Sequence, residues 1–117
     1  MSGRVTGFGG VFFRARDPDA LTNWYQTHLG VPSAEPFAQS EGVSVFAPFK
    51  RDTDYWPAEK QWMLNFRVEG LEALIERLEA AGISVETRVD WNHPEIGNFA
   101  RIVDPEGNNV ELWEPPA

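Results

Sequence analysis

The chain has 117 residues, 42% apolar and 24% charged, which suits one globular domain with a modest core. Ten Lys and Arg against 18 Asp and Glu leave a formal charge of −8, so nucleic acid and anionic membrane surfaces are poor partners, because both need a cationic face. The absence of cysteine excludes disulfide scaffolds, Cys-ligated zinc, Fe–S clusters and thiol nucleophiles. No apolar run approaches the roughly 18–20 residues of a membrane span, and no apolar stretch follows Met1-Ser2-Gly3-Arg4, so a cytoplasmic protein is expected. Five Trp and eight Phe in so short a chain point to aromatic surfaces that do more than fill a core.

Residues 8–16 (FGGVFFRAR) alternate with period two, Val11, Phe13 and Ala15 against Gly10, Phe12, Arg14 and Arg16. That pattern predicts a strand. Asp17-Pro18 then supplies an N-cap and a proline at the first helical position. Leu21, Trp24, Tyr25, His28 and Leu29 recur at helical spacing, Gly30 offers a left-handed stop and Pro32 forbids continuation. Residues 43–49 (VSVFAPF) predict a strand with Pro48 at its edge or end, and residues 50–60 a polar loop carrying Tyr55 and Trp56. Residues 61–68 predict another strand, with Trp62, Leu64, Phe66 and Val68 on one face and Met63, Asn65 and Arg67 on the other. Residues 71–81 form an amphipathic helix with Leu71, Leu74, Ile75 and Leu78 as its apolar stripe and Gly82 as its stop, and Glu72, Glu76 and Glu79 on its solvated side. A strand over 83–89 and a loop over 90–94 come next. The strands 99–103 and 109–114 follow, joined by the turn Asp104-Pro105-Glu106-Gly107-Asn108.

The second half repeats the first. A shift of 53 residues lays Phe13-Arg14 on Phe66-Arg67 and Ala20-Leu21 on Ala73-Leu74, and with a one-residue gap Gly30-Val31 matches Gly82-Ile83. Two copies imply a pseudo-symmetric domain rather than a solenoid. The opening FFRARDPDALTNWYQTHLG, the middle NFRVEGLEALIERLEAAGI and the ending FARIVDPEGNNVELWEP together resemble the vicinal oxygen chelate superfamily, which includes glyoxalase I, bleomycin-resistance proteins and extradiol dioxygenases. The resemblance runs over roughly residues 8–115. It implies an α+β fold of two pseudo-symmetric βαβββ modules, about 8–50 and about 61–115. Their curled mixed sheet would enclose a concave cavity with helices on the outer face, all within one domain over 1–117. It also implies a homodimer.

Metal-dependent proteins of this superfamily place ligands at four quasi-equivalent positions. Matching them residue by residue gives Gly10 and Met63 on the first strands, 53 apart like the repeat, and Phe46 and Glu111 on the last. Only Glu111 can ligate, whereas a catalytic divalent site needs about three protein ligands and an open position. No cofactor is therefore expected, with a divalent metal held partly by Glu111 as the alternative. The segment 32–42 is also too short to hold all the strands of a full first module.

Strand parity turns Glu111 toward the cavity, since Val110 and Leu112 take the core side, and it points Arg14, Arg67 and Arg101 the same way. Glu111 is then either a ligand-orienting group or general base, or the ion-pair partner of one of those arginines. Phe12, Phe46, Met63 and Trp113 share the concave face with Asn65, and Tyr55 and Trp56 lie on the loop beside it. Such a face suits either a small-molecule pocket or a dimer interface. His93 sits in a loop that can reach the cavity mouth, while His28 complements the dipole at the end of the first helix. The leading expectation is a metal-independent protein that binds a small apolar or aromatic molecule. The alternatives are a superfamily enzyme (lyase, isomerase or dioxygenase) using Glu111, or a protein with a closed cavity that works through protein contacts.

Overall fold

The computed structural model describes residues 3–32 and 35–117. Five main elements follow in chain order: α1 (Pro18–Leu29), β1 (Leu64–Arg67), α2 (Leu71–Ala80), β2 (Asn98–Val103) and β3 (Asn109–Glu114). Helix α1 begins where the sequence places it: the Asp17 side chain accepts a hydrogen bond from the Ala20 amide at 3.1 Å. It ends on Gly30 in the left-handed conformation, whose amide donates to the Gln26 carbonyl at 3.1 Å. Helix α2 lacks a capping side chain of its own. The Glu114 carboxylate at the end of β3 reaches across and accepts from the amides of Gly70 (2.8 Å) and Leu71 (3.4 Å).

The sheet is mixed, in the order β1-β3-β2, with β1 parallel and β2 antiparallel to the central β3. In register, Leu64 faces Val110 and Val110 faces Ile102, while Phe66 faces Leu112 and Leu112 faces Ala100. These residues form one side of the sheet. Leu21 and Tyr25 of α1 and Leu71, Leu74 and Leu78 of α2 pack against it to make the core. The β2–β3 hairpin is held at its turn by Asp104, 4% exposed, whose carboxylate also accepts the Tyr25 hydroxyl at 2.6 Å and so ties α1 to the sheet. Among the described residues no helix is long and apolar enough to cross a membrane.

The first half departs from expectation. Neither 8–16 nor 43–49 is a strand: every residue of both except Ala15 is exposed, and neither segment joins the sheet. The predicted strand 61–68 is reduced to Leu64–Arg67. Over 83–89 the chain forms only the bridge between Glu86 and Arg101 before a 3-10 turn at Val89–Trp91. The three-stranded sheet therefore comes wholly from the second half, and two equal modules are not formed within one chain. The reason is that a strand is completed by a partner edge, not by its own period-two pattern, and this chain lays no edge beside 8–16 or 43–49. The radius of gyration is 15.2 Å, against about 13 Å for a compact chain of this length, and the exposed segments 8–16 and 43–49, together the arm, stay outside the sheet.

Candidate ligand-binding groove

The side of the sheet opposite the helices carries a polar row. Asn65 of β1, Glu111 of β3 and Arg101 of β2 stand opposite one another in register, and Glu86 bridges to Arg101 beyond them. Glu111 is 9% exposed, and both of its oxygens are engaged. The Tyr55 hydroxyl donates to Oε2 at 2.5 Å and the Asn65 amide Nδ2 donates to Oε1 at 2.8 Å. A buried carboxylate needs such donors. Here a phenol and an amide supply them, so the ion pair between Glu111 and an arginine, open on sequence grounds, is not formed. Burial, then the hydrogen bond to Glu111 and its charge, push the Tyr55 hydroxyl above the ordinary tyrosine pKa, while the Arg101 cation works the other way.

Arg101 is instead held by aromatic faces. Its guanidinium carbon lies 4.3 Å from the Tyr55 ring centre and 5.2 Å from that of Trp91. Its Nε is buried without a hydrogen-bond partner. The carboxylate on its other flank, Glu86, is taken by Arg88, whose Nε and Nη2 both donate to Glu86 Oε2 at 3.0 and 2.8 Å.

The loop over 50–60 brings the remaining rings. Phe49 packs 5.9 Å from Tyr55 and 4.9 Å from Trp56, and Tyr55 meets Trp91 edge-on at 6.2 Å. Two bonds pin the loop: Trp56 Nε1 donates to the Lys60 carbonyl at 2.8 Å, and Lys60 Nζ donates to the Glu106 carbonyl at 3.1 Å. Between this loop and the sheet lies an open groove of about 510 Å³, lined by Thr53, Asp54, Tyr55, Trp56, Arg101 and Asn109 among others. Its size falls within the usual span of small-molecule sites.

Of the residues singled out from sequence, the structure gathers Tyr55, Trp56 and Arg101 at this groove, with Glu111 and Asn65 bonded behind Tyr55. It leaves the others apart. Phe12 and Phe46 lie on the arm, 93% and 81% exposed, and Arg14 is exposed there too. Met63 is half-buried ahead of β1 and does not line the groove. Arg67 donates to the backbone carbonyls of Val43 (2.6 Å) and Ser40 (2.5 Å), so it clamps the arm rather than facing the groove. Trp113 is structural: its Nε1 donates to the Ile96 carbonyl at 2.8 Å and its ring stacks on Phe99. His93 is exposed and shapes its own loop, its Nδ1 accepting from the Glu95 amide at 3.1 Å. Sequence reasoning overlooked Phe49, Trp91, Thr53, Asp54 and Asn109. The concentration of aromatic residues in 49–56 and at Trp91 was the available signal.

Of the four positions that the superfamily resemblance assigns to a metal, Gly10 and Phe46 carry no donor atom in their side chains, Met63 offers a thioether, and Tyr55 and Asn65 hold both Glu111 oxygens. Among the described residues no three His, Cys, Asp or Glu side chains come together as a metal-holding group.

The profile of the glyoxalase-like domain matches residues 10–113. Among solved structures the chain is similar to TnmS3, an antibiotic binding protein from Streptomyces sp. CB03234. The two share 24% identity over 85% of this chain and 87% of that one, with a TM-score of 0.49. Among curated proteins no relative matches.

Proposed function

This chain belongs to the glyoxalase-like domain family of the vicinal oxygen chelate superfamily, and from that premise we propose that it is a metal-independent binding protein for a small apolar or aromatic molecule, working in the cytoplasm. The observation that carries this reading is the groove walled by Tyr55 and Trp56, with Phe49 and Trp91 packed behind them. Flat apolar walls with a few fixed polar groups are what a small planar ligand requires. The engagement of both Glu111 oxygens supports binding over catalysis, because a general base in this position would first have to release Tyr55 or Asn65. Thermal melting against a panel of planar aromatic compounds tests the reading. A ligand at about 100 times its Kd adds ~2.7 kcal/mol and raises Tm by roughly 10 °C in a domain of this size. A Tm that no compound in the panel moves would overturn it.

We further propose that the protein works as a homodimer. Phe12 and Phe46 are nearly fully exposed on an arm that keeps a strand's alternation but has no partner. In the same chain β1 pairs only with β3, so its outer edge is open. The internal repeat gives the two halves related surfaces, so a second copy offers the arm the kind of edge that its own chain does not. Light scattering is expected to give twice the 13.2 kDa chain mass. Phe12→Ser combined with Phe46→Ser is expected to return it to a single chain. A wild-type mass of one chain at micromolar concentration would refute the dimer.

A further inference from the structure

Three arginines were expected to face the cavity, and two of them, like the neighbouring Arg88, are accounted for elsewhere. Arg14 is out on the arm, Arg67 is committed to the Ser40 and Val43 carbonyls, and Arg88 to Glu86. Arg101 remains. It lines the groove, its guanidinium lies beside the Tyr55 and Trp91 rings, and its Nε is buried without a partner. The carboxylates on its two flanks are turned to other donors, Glu86 to Arg88 and Glu111 to Tyr55 and Asn65. The two rings, whose centres lie 6.2 Å apart, flank the guanidinium without enclosing it, so a polar ligand can approach its N–H groups. The acceptor that matches a guanidinium edge is a planar carboxylate, which takes two parallel N–H···O bonds.

We infer that the groove binds an aromatic monocarboxylic acid and that Arg101 is the receptor for its carboxylate. This deepens the binding-protein reading and rests on it. The ring of the ligand lies against Tyr55 and Trp56, and its acid group pairs with the Arg101 cation that lines the same groove. Asp54 lines the same groove and repels a second negative charge, which selects a monoacid over a diacid.

Calorimetric titration with matched acid and amide pairs tests the inference: 2-naphthoate against 2-naphthamide, and anthraquinone-2-carboxylate against its carboxamide. Each pair keeps its shape and changes only the charge. The acids are expected to bind the wild-type protein about tenfold or more tightly than the amides. Arg101→Gln is expected to abolish the preference, so that acid and amide bind the variant within about twofold of each other. Arg101→Lys, which keeps the charge and loses the fork, is expected to fall between the two and serves if the Gln variant does not fold. Equal binding of acid and amide overturns the inference and leaves the binding-protein reading standing, as does an acid preference that survives Arg101→Gln. Failure of all four compounds to bind at millimolar concentration overturns both.

Discussion

Asp104→Ala is expected to destabilise the protein by about 3–5 kcal/mol, a large share of the 5–15 kcal/mol typical of a domain. Asp104 Oδ1 accepts from the amides of Glu106 (2.9 Å) and Asn108 (3.0 Å). Its Oδ2 accepts from the Tyr25 hydroxyl (2.6 Å) and Asn108 Nδ2 (2.9 Å). Alanine removes all four bonds and strands a buried hydroxyl donor on α1, which costs more than the bonds themselves contribute. Urea unfolding measures the loss, and a change below about 1 kcal/mol would show that the turn holds without its carboxylate. The same contact has an alkaline signature. Burial, followed by the hydrogen bond and charge of Asp104, drives the Tyr25 hydroxyl far above the ordinary tyrosine pKa of 10.0. Below pH 10 both folded and unfolded chains keep that proton. Above it only the unfolded chain releases it, so stability falls as pH rises past about 10. Tyr25→Phe flattens that slope, leaving the part due to Tyr55.

Gly97→Ala is expected to cost about 3 kcal/mol. Gly97 sits at φ +127°, a region essentially closed to side chains, and its amide and carbonyl bond with the backbone of His93. A Cβ there would collide with the Glu114 carbonyl oxygen and press on Trp113 Nε1. The collision is with the backbone at the end of β3, which has no rotamer to give. Relief would come from lifting the 93–97 turn, breaking the bond from Trp113 to the Ile96 carbonyl. Thermal melting with tryptophan emission reports both effects. An unchanged Tm and spectrum would mean that the turn rearranges freely.

The parts of the fold that local chemistry dictates were legible in the sequence. Asp17-Pro18 and Gly30 bound α1, the Leu71, Leu74 and Leu78 stripe marks α2, and the 104–108 turn joins its two strands. The arm was not legible, because residues 8–16 carry the alternation of a strand while pairing depends on an edge elsewhere in the chain or in another chain. Parity placed Asn65, Glu111 and Arg101 on one side of the sheet. It could not say that Glu111 meets Tyr55, 56 residues away in sequence, or that Arg67 bends back to backbone carbonyls. Side-chain parity fixes a direction, whereas long side chains choose among all the acceptors within reach.

The central position of β3 has a consequence for synthesis. Both other strands pair with it, the Asp104 turn precedes it, and its last residue, Glu114, caps α2. Yet β3 starts 93 residues (109 − 16) after the first segment of the arm ends and 60 (109 − 49) after the second. A ribosome adding ~5–20 residues per second leaves the arm's phenylalanines without that strand for about 3–20 s. That interval is the time in which the exposed segments of neighbouring nascent chains on one message can meet.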